Sequence, residues 1–109
     1  MRLLLVQSRP AKDTMIAQEM ACIEGRLGAR DVALIAHNGV TEDADVAWLD
    51  GVDGVIFGGS GEYSVHHPRS VRWVTPMRRL LDAIFDRELP CFAICFGHQL
   101  IGLHLGAPV

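Results

Sequence analysis

A chain of 109 residues, half of them hydrophobic, has room for one domain and enough apolar side chain for a compact core, which excludes intrinsic disorder. Its net charge of −3, with 10 basic and 13 acidic residues interspersed rather than blocked, argues against nucleic acid or an anionic membrane as the main partner and suits a small neutral or zwitterionic substrate. The longest apolar run is far shorter than the roughly 18 residues of a membrane span, and the N-terminal run turns polar at Gln7, as a strand does and a signal peptide does not.

Residues 3–6, 32–36, 55–57 and 91–94 are each apolar on consecutive positions. Unbroken rather than alternating hydrophobicity marks strands buried on both faces, as in a parallel sheet. Between the first pair, Ile16, Met20, Ile23 and Leu27 share one helical face, with Asp13 placed as N-cap and Gly28 as the stop. Residues 37–53 carry at most a short helix over 44–49, and 61–75 read as a loop. Pro76 then suits the first turn of a helix whose Met77, Leu80, Leu81, Ile84 and Phe85 recur at i, i+3, i+4, i+7 and i+8. Strands alternating with helices predict an α/β fold of three αβα layers around a mainly parallel sheet, with ligands bound outside the carboxyl ends of the strands.

The most informative run is Leu89-Pro90-Cys91-Phe92-Ala93-Ile94-Cys95-Phe96-Gly97-His98-Gln99-Leu100. A buried strand ends on Cys95, Gly97 permits a tight turn, and a helix over 100–105 follows, closed by Gly106. This is the order of a nucleophile elbow, in which helical N–H groups behind the thiol favour the attacking thiolate. Cys22 and Cys91 read as structural thiols. Cys91 and Cys95, four apart on one strand, would lie ~13 Å apart against a disulfide limit of ~7 Å, so cysteine usage points to a reducing cytoplasm. His98, three residues from Cys95 and a candidate base by that spacing, is on a helix that begins behind the nucleophile and is expected to direct its ring elsewhere. His66 and His67 diverge as loop neighbours and have no further ligands at metal spacing, and His37 and His104 show no partner pattern, so no metal is implied. Gly58, Gly59 and Gly61 taken by themselves make an ordinary turn after a strand. Gln99 places an amide on an otherwise apolar helix, where it needs a partner.

Ile94-Cys95-Phe96-Gly97-His98-Gln99-Leu100 closely resembles the nucleophile motif of class I glutamine amidotransferases. Gly54-Val55-Ile56-Phe57-Gly58-Gly59-Ser60-Gly61 resembles their oxyanion-strand motif, and the two occur in the family's order on consecutive strand ends. The resemblance covers most of the chain and implies the flavodoxin-like fold of that family. It implies that Cys95 attacks the side-chain amide of glutamine, forms a γ-glutamyl thioester, releases ammonia and is regenerated by water. By the same resemblance the backbone N–H groups of Gly59 and Phe96 donate to the oxyanion, and Gly61 and Gln99 contact the substrate. No cofactor is implied, and the acceptor of ammonia is a separate synthetase domain or subunit. Glu62-Tyr63-Ser64-Val65 resembles the corresponding loop of stand-alone members and of the glutaminase part of GMP synthase. One departure is Ala93, where the family has glycine, adding a methyl close to the turn.

The family completes its triad with a His-x-Glu-like motif on a later strand and loop, and none occurs in the fourteen residues after Cys95. Residues 1–109 are therefore expected to be the N-terminal part of a single amidotransferase domain, cut after the elbow helix and inactive in isolation. Two other readings stand beside this one. A γ-glutamyl hydrolase or cysteine peptidase of the same fold would share the elbow, though such relatives usually lack the Gly-His-Gln-Leu continuation; a non-catalytic homologue would act as a binding or regulatory partner.

Overall fold

A computed structural model describes residues 1–28, 31–59, 71–94 and 96–106, with Val71, Phe96 and His98 described by backbone only. The described elements run β1 (Arg2–Gln7), α1 (Met15–Leu27), β2 (Ala33–Asn38), a 3₁₀ turn (Val46–Leu49), β3 (Gly54–Phe57), α2 (Val71–Asp86), β4 (Cys91–Ala93) and α3 (Phe96–His104). All four strands are parallel, in the order β2-β1-β3-β4. The chain leaves β1 for β2 on one flank and returns to β3 on the other. The β1/β3 junction is thus the point where strand order reverses, and ligands of such sheets bind in the crevice at its carboxyl end. The register Val6↔Phe57 and Phe57↔Ala93 brings the ends of β1, β3 and β4 level there.

Side-chain alternation divides the sheet into two faces. Leu4, Val6, Val55 and Phe57 pack with Met77, Leu80, Leu81 and Ile84 of α2 and Leu100 of α3 into one buried cluster. Ile56 and Phe92 point the other way, toward α1, so the three layers expected from sequence are present. Coverage on that second face is thinner. No residue of α1 is fully buried, although Ile16, Met20, Ile23 and Leu27 do face inward, and an apolar groove of about 590 Å³ lies open between Ile23 and Leu27 of α1 and Ile56, Phe92 and Ile94.

Burial on both faces holds for β1 and β3 and fails for β2 and β4, because these are the outer strands of the sheet; Phe92 is 66% exposed. β2 also runs later than its apolar stretch, since pairing with β1 from Arg2↔Ala33 to Gln7↔Asn38 draws polar His37 and Asn38 into the ladder. At the start of α1, which opens at Met15, the N-cap position is held by Thr14 rather than the expected Asp13; the Asp13 carboxylate, one residue further out, still accepts the Met15 N–H at 2.8 Å. Gly28 ends the helix in the left-handed conformation. The short helix expected over 44–49 is the 3₁₀ turn, capped by the Asp45 side chain on the Ala47 N–H.

The reading of residues 71–75 as loop is corrected: they are the first turns of α2, and Pro76 lies inside that helix. A proline there removes one backbone donor and costs about 3 kcal/mol. Extending the helix buries Trp73 and Val74 beside Met77, and at about 1.5–3 kcal/mol for each large apolar side chain this outweighs the proline. Of the expected stripe, Met77, Leu80, Leu81 and Ile84 are fully buried, whereas Phe85 is partly exposed and rests against the His104 ring of α3.

Candidate active site

The carboxyl ends of β3 and β4 are tied together by backbone. Gly58 N–H donates to the Val6 carbonyl at 2.9 Å, Ile94 N–H to the Phe57 carbonyl at 2.9 Å, and Gly97 N–H to the Ile94 carbonyl at 3.0 Å as the chain turns into α3. Gly97 packs directly on the end of β3. A Cβ at that position would stand 2.5 Å from Phe57 Cβ and 2.8 Å from the Phe57 carbonyl oxygen, so the elbow closes because residue 97 has no side chain.

Cys95 lies outside the described residues, as do Gly61, the Glu62–Val65 loop segment, His66 and His67. Ile94 and Phe96, which flank Cys95, are respectively the residue after β4 and the first residue of α3. Phe96 N–H is therefore among the opening helical donors that have no acceptor within the helix, the position the resemblance assigns to one half of the oxyanion hole. Gln99 is one turn further along and exposed.

Gly59, the other expected oxyanion donor, is buried, and its N–H donates to Glu19 Oε2 at 3.1 Å. Glu19 is on α1 and reaches across the β1/β3 junction. Its carboxylate also accepts from Arg9 Nε at 3.3 Å, Arg9 Nη2 at 3.1 Å and Gln7 Nε2 at 3.3 Å. The Arg9 and Glu19 side chains are only 10% and 9% exposed. The Glu19 hydrogen bond, helped by its charge and by Asp13, raises the Arg9 pKa against the opposing effect of burial, so the guanidinium stays charged. Asn38 holds the segment in turn, accepting the Arg9 N–H through its side-chain oxygen and donating to the Arg9 carbonyl.

Arg9 and Glu19 are not recognised as site residues from sequence. The available signal was Glu19 itself: it falls three residues after Ile16 and one before Met20, on the inward stripe of α1, where a carboxylate needs a partner. Arg9, two residues past β1 at the sheet's carboxyl edge, is that partner.

The two described thiols differ from expectation in one respect. Cys91 is partly buried as expected of a structural residue, and burial pushes its pKa up to about 11. Cys22 is instead exposed on α1. At pH 7.5 Cys91 is thiolate in only ~10⁻³ to 10⁻⁴ of molecules. Alkylation with iodoacetamide, mapped by mass spectrometry, is therefore expected to modify Cys22 at least about tenfold faster than Cys91, and the Cys91 rate to climb as pH rises toward its pKa. Equal rates at neutral pH would contradict this.

Two histidines have partners that sequence did not reveal. His104 Nδ1 accepts from Arg78 Nε at 3.3 Å while Nε2 contacts Asp82 at 2.7 Å, fastening α3 to α2. His37 stacks on Trp48 at 4.5 Å and contacts Glu42. Among the described residues no group of three or more His, Cys, Asp or Glu side chains could hold a metal ion. No helix among them is long and apolar enough to cross a membrane.

Residues 18–109 match the family model of Glutamine amidotransferase class-I. The chain is also 33% identical over 70 residues to the glutamine-hydrolysing GMP synthase subunit of Thermoplasma volcanium, a match spanning 64% of this chain and 32% of that protein. It thus covers about a third of the length of that relative. No solved structure matches the chain.

Proposed function

Because the chain belongs to the class I glutamine amidotransferases, we propose that it supplies the glutamine-hydrolysing site of such an enzyme. Cys95 is the nucleophile. It attacks the side-chain amide carbon of glutamine, ammonia leaves, and water cleaves the resulting γ-glutamyl thioester to glutamate and free thiol. The N–H groups of Phe96 and Gly59 are the donors for the tetrahedral oxyanion, and Gly61 and Gln99 hold the substrate. The observation that carries this reading is the close packing of Gly97 on Phe57. It sets the first turn of α3 against the end of β3, so the two strand ends that bear the nucleophile and oxyanion motifs converge on one edge of the sheet.

The similarity to a glutamine-hydrolysing GMP synthase subunit supports a partner synthetase as acceptor of the ammonia. In such a pairing residues 1–109 contribute the nucleophile and oxyanion strand, and a general acid–base group returns a proton to the departing ammonia. The test is ammonia release from glutamine by the intact protein, together with covalent labelling by a γ-glutamyl chloromethyl ketone. Label on Cys95, ahead of Cys22 and Cys91, is the expected result. Label confined to Cys22 or Cys91, or glutamine left unhydrolysed, would overturn the proposal.

A further inference from the structure

Building on the amidotransferase reading, we propose that Glu19 masks the oxyanion site: its carboxylate occupies the Gly59 N–H, which becomes available to a tetrahedral intermediate only when Glu19 withdraws onto Arg9. The N–H can serve one strong acceptor at a time, and the acceptor present is an anion at 3.1 Å. An oxyanion forming on the attacked amide carbon would meet a group of its own charge, one whose side chain, like that of Arg9, is nine-tenths buried. The mask is also closely seated. A Cβ on Gly58 would lie 2.7 to 2.8 Å from the Glu19 carboxylate, so the carboxylate rests over the bare Cα of the residue preceding the donor.

The contact is not required to hold the end of β3, because the Gly58 N–H is already bonded to Val6 and the Phe57 carbonyl already accepts from Ile94. Withdrawal leaves the carboxylate satisfied: Arg9 engages it through both Nε and Nη2, and Gln7 Nε2 adds a third donor. One hydrogen bond is given up and the ion pair is kept. Glu19 is thus a positioning residue with two stations, one that closes the oxyanion site and one that opens it.

The test uses the intact protein with Glu19→Gln, which removes the competing charge, and Glu19→Asp, which keeps the charge beside Arg9 but falls one methylene short of Gly59. Both are expected to raise kcat for glutamine about tenfold or more, within the 10²–10³ that one oxyanion donor is worth. KM should stay within about twofold, and iodoacetamide should alkylate Cys95 at the wild-type rate, since that reaction needs no oxyanion donor. A kcat that is unchanged or lower in folded variants overturns the mask. If neither variant folds, the wild type still decides: its Gly59 amide proton resonance must move when Cys95 is labelled with the γ-glutamyl chloromethyl ketone, and an unmoved resonance overturns the mask. Absence of Cys95-dependent glutamine hydrolysis in wild type and variants alike overturns the amidotransferase reading itself, and the mask with it.

Discussion

Replacing Cys95 by alanine is expected to lower the glutaminase kcat of the intact protein by about 10³-fold or more while leaving the thermal transition unchanged. The size follows from the proposed mechanism. Without a thiolate there is no thioester, and the remaining donors can only assist direct attack by water on an amide. Cys95→Ser is expected to fare almost as badly, since a hydroxyl is too weak an acid to supply an anionic nucleophile at neutral pH, whereas a thiol can. The fold should not register either change, because the approach of α3 to β3 is set by Gly97 against Phe57 and by Leu100 in the core. Steady-state ammonia release and a melting curve on the same preparations make the check. A Cys95→Ala protein that keeps even a tenth of wild-type turnover would remove Cys95 from the mechanism.

How far the sequence could be read depended on how local the cause of each feature was. Continuous hydrophobicity located β1 and β3 because those strands are covered on both faces, and spacing located the inward stripes of α1 and α2. It failed where pairing or packing at a distance decided the outcome. Polar His37 and Asn38 joined β2 because β1 was there to pair with, and residues 71–75 became helix despite Pro76 because Trp73 and Val74 had a core to enter. At the candidate site, the close turn at Gly97 and the glycines at 58 and 59 after β3 fall in short motifs that the sequence displays directly. The Glu19 contact is not displayed in this way, since it joins a residue of the first helix to one 40 positions later across the strand-order reversal. Only the inward placement of a carboxylate hinted at it.

The elbow's dependence on one missing side chain leads to the second large effect. Gly97→Ala is expected to cost about 2–3 kcal/mol of stability and to lower kcat by about 10²-fold in whatever protein remains folded. The new methyl would sit 2.5 Å from Phe57 Cβ and within about 3 Å of the Phe57 carbonyl group. Phe57 cannot yield: it is 1% exposed, its strand pairs with β1 on one side and β4 on the other, and its carbonyl is committed to Ile94. The movable partner is α3, which must lift away from the sheet and carry Phe96 N–H with it. A displacement near 1 Å at the proposed oxyanion donor is enough to account for the loss in rate, so turnover should fall beyond what the unfolded fraction explains. Gly97→Val, with two further methyl groups aimed at the same backbone, should not give a folded elbow at all. Chemical denaturation of Gly97→Ala, read beside kcat measured well below its midpoint, separates the two losses. Wild-type stability and turnover in Gly97→Ala would mean that α3 does not close on β3 as described, and with it would go the convergence of strand ends from which the site is built.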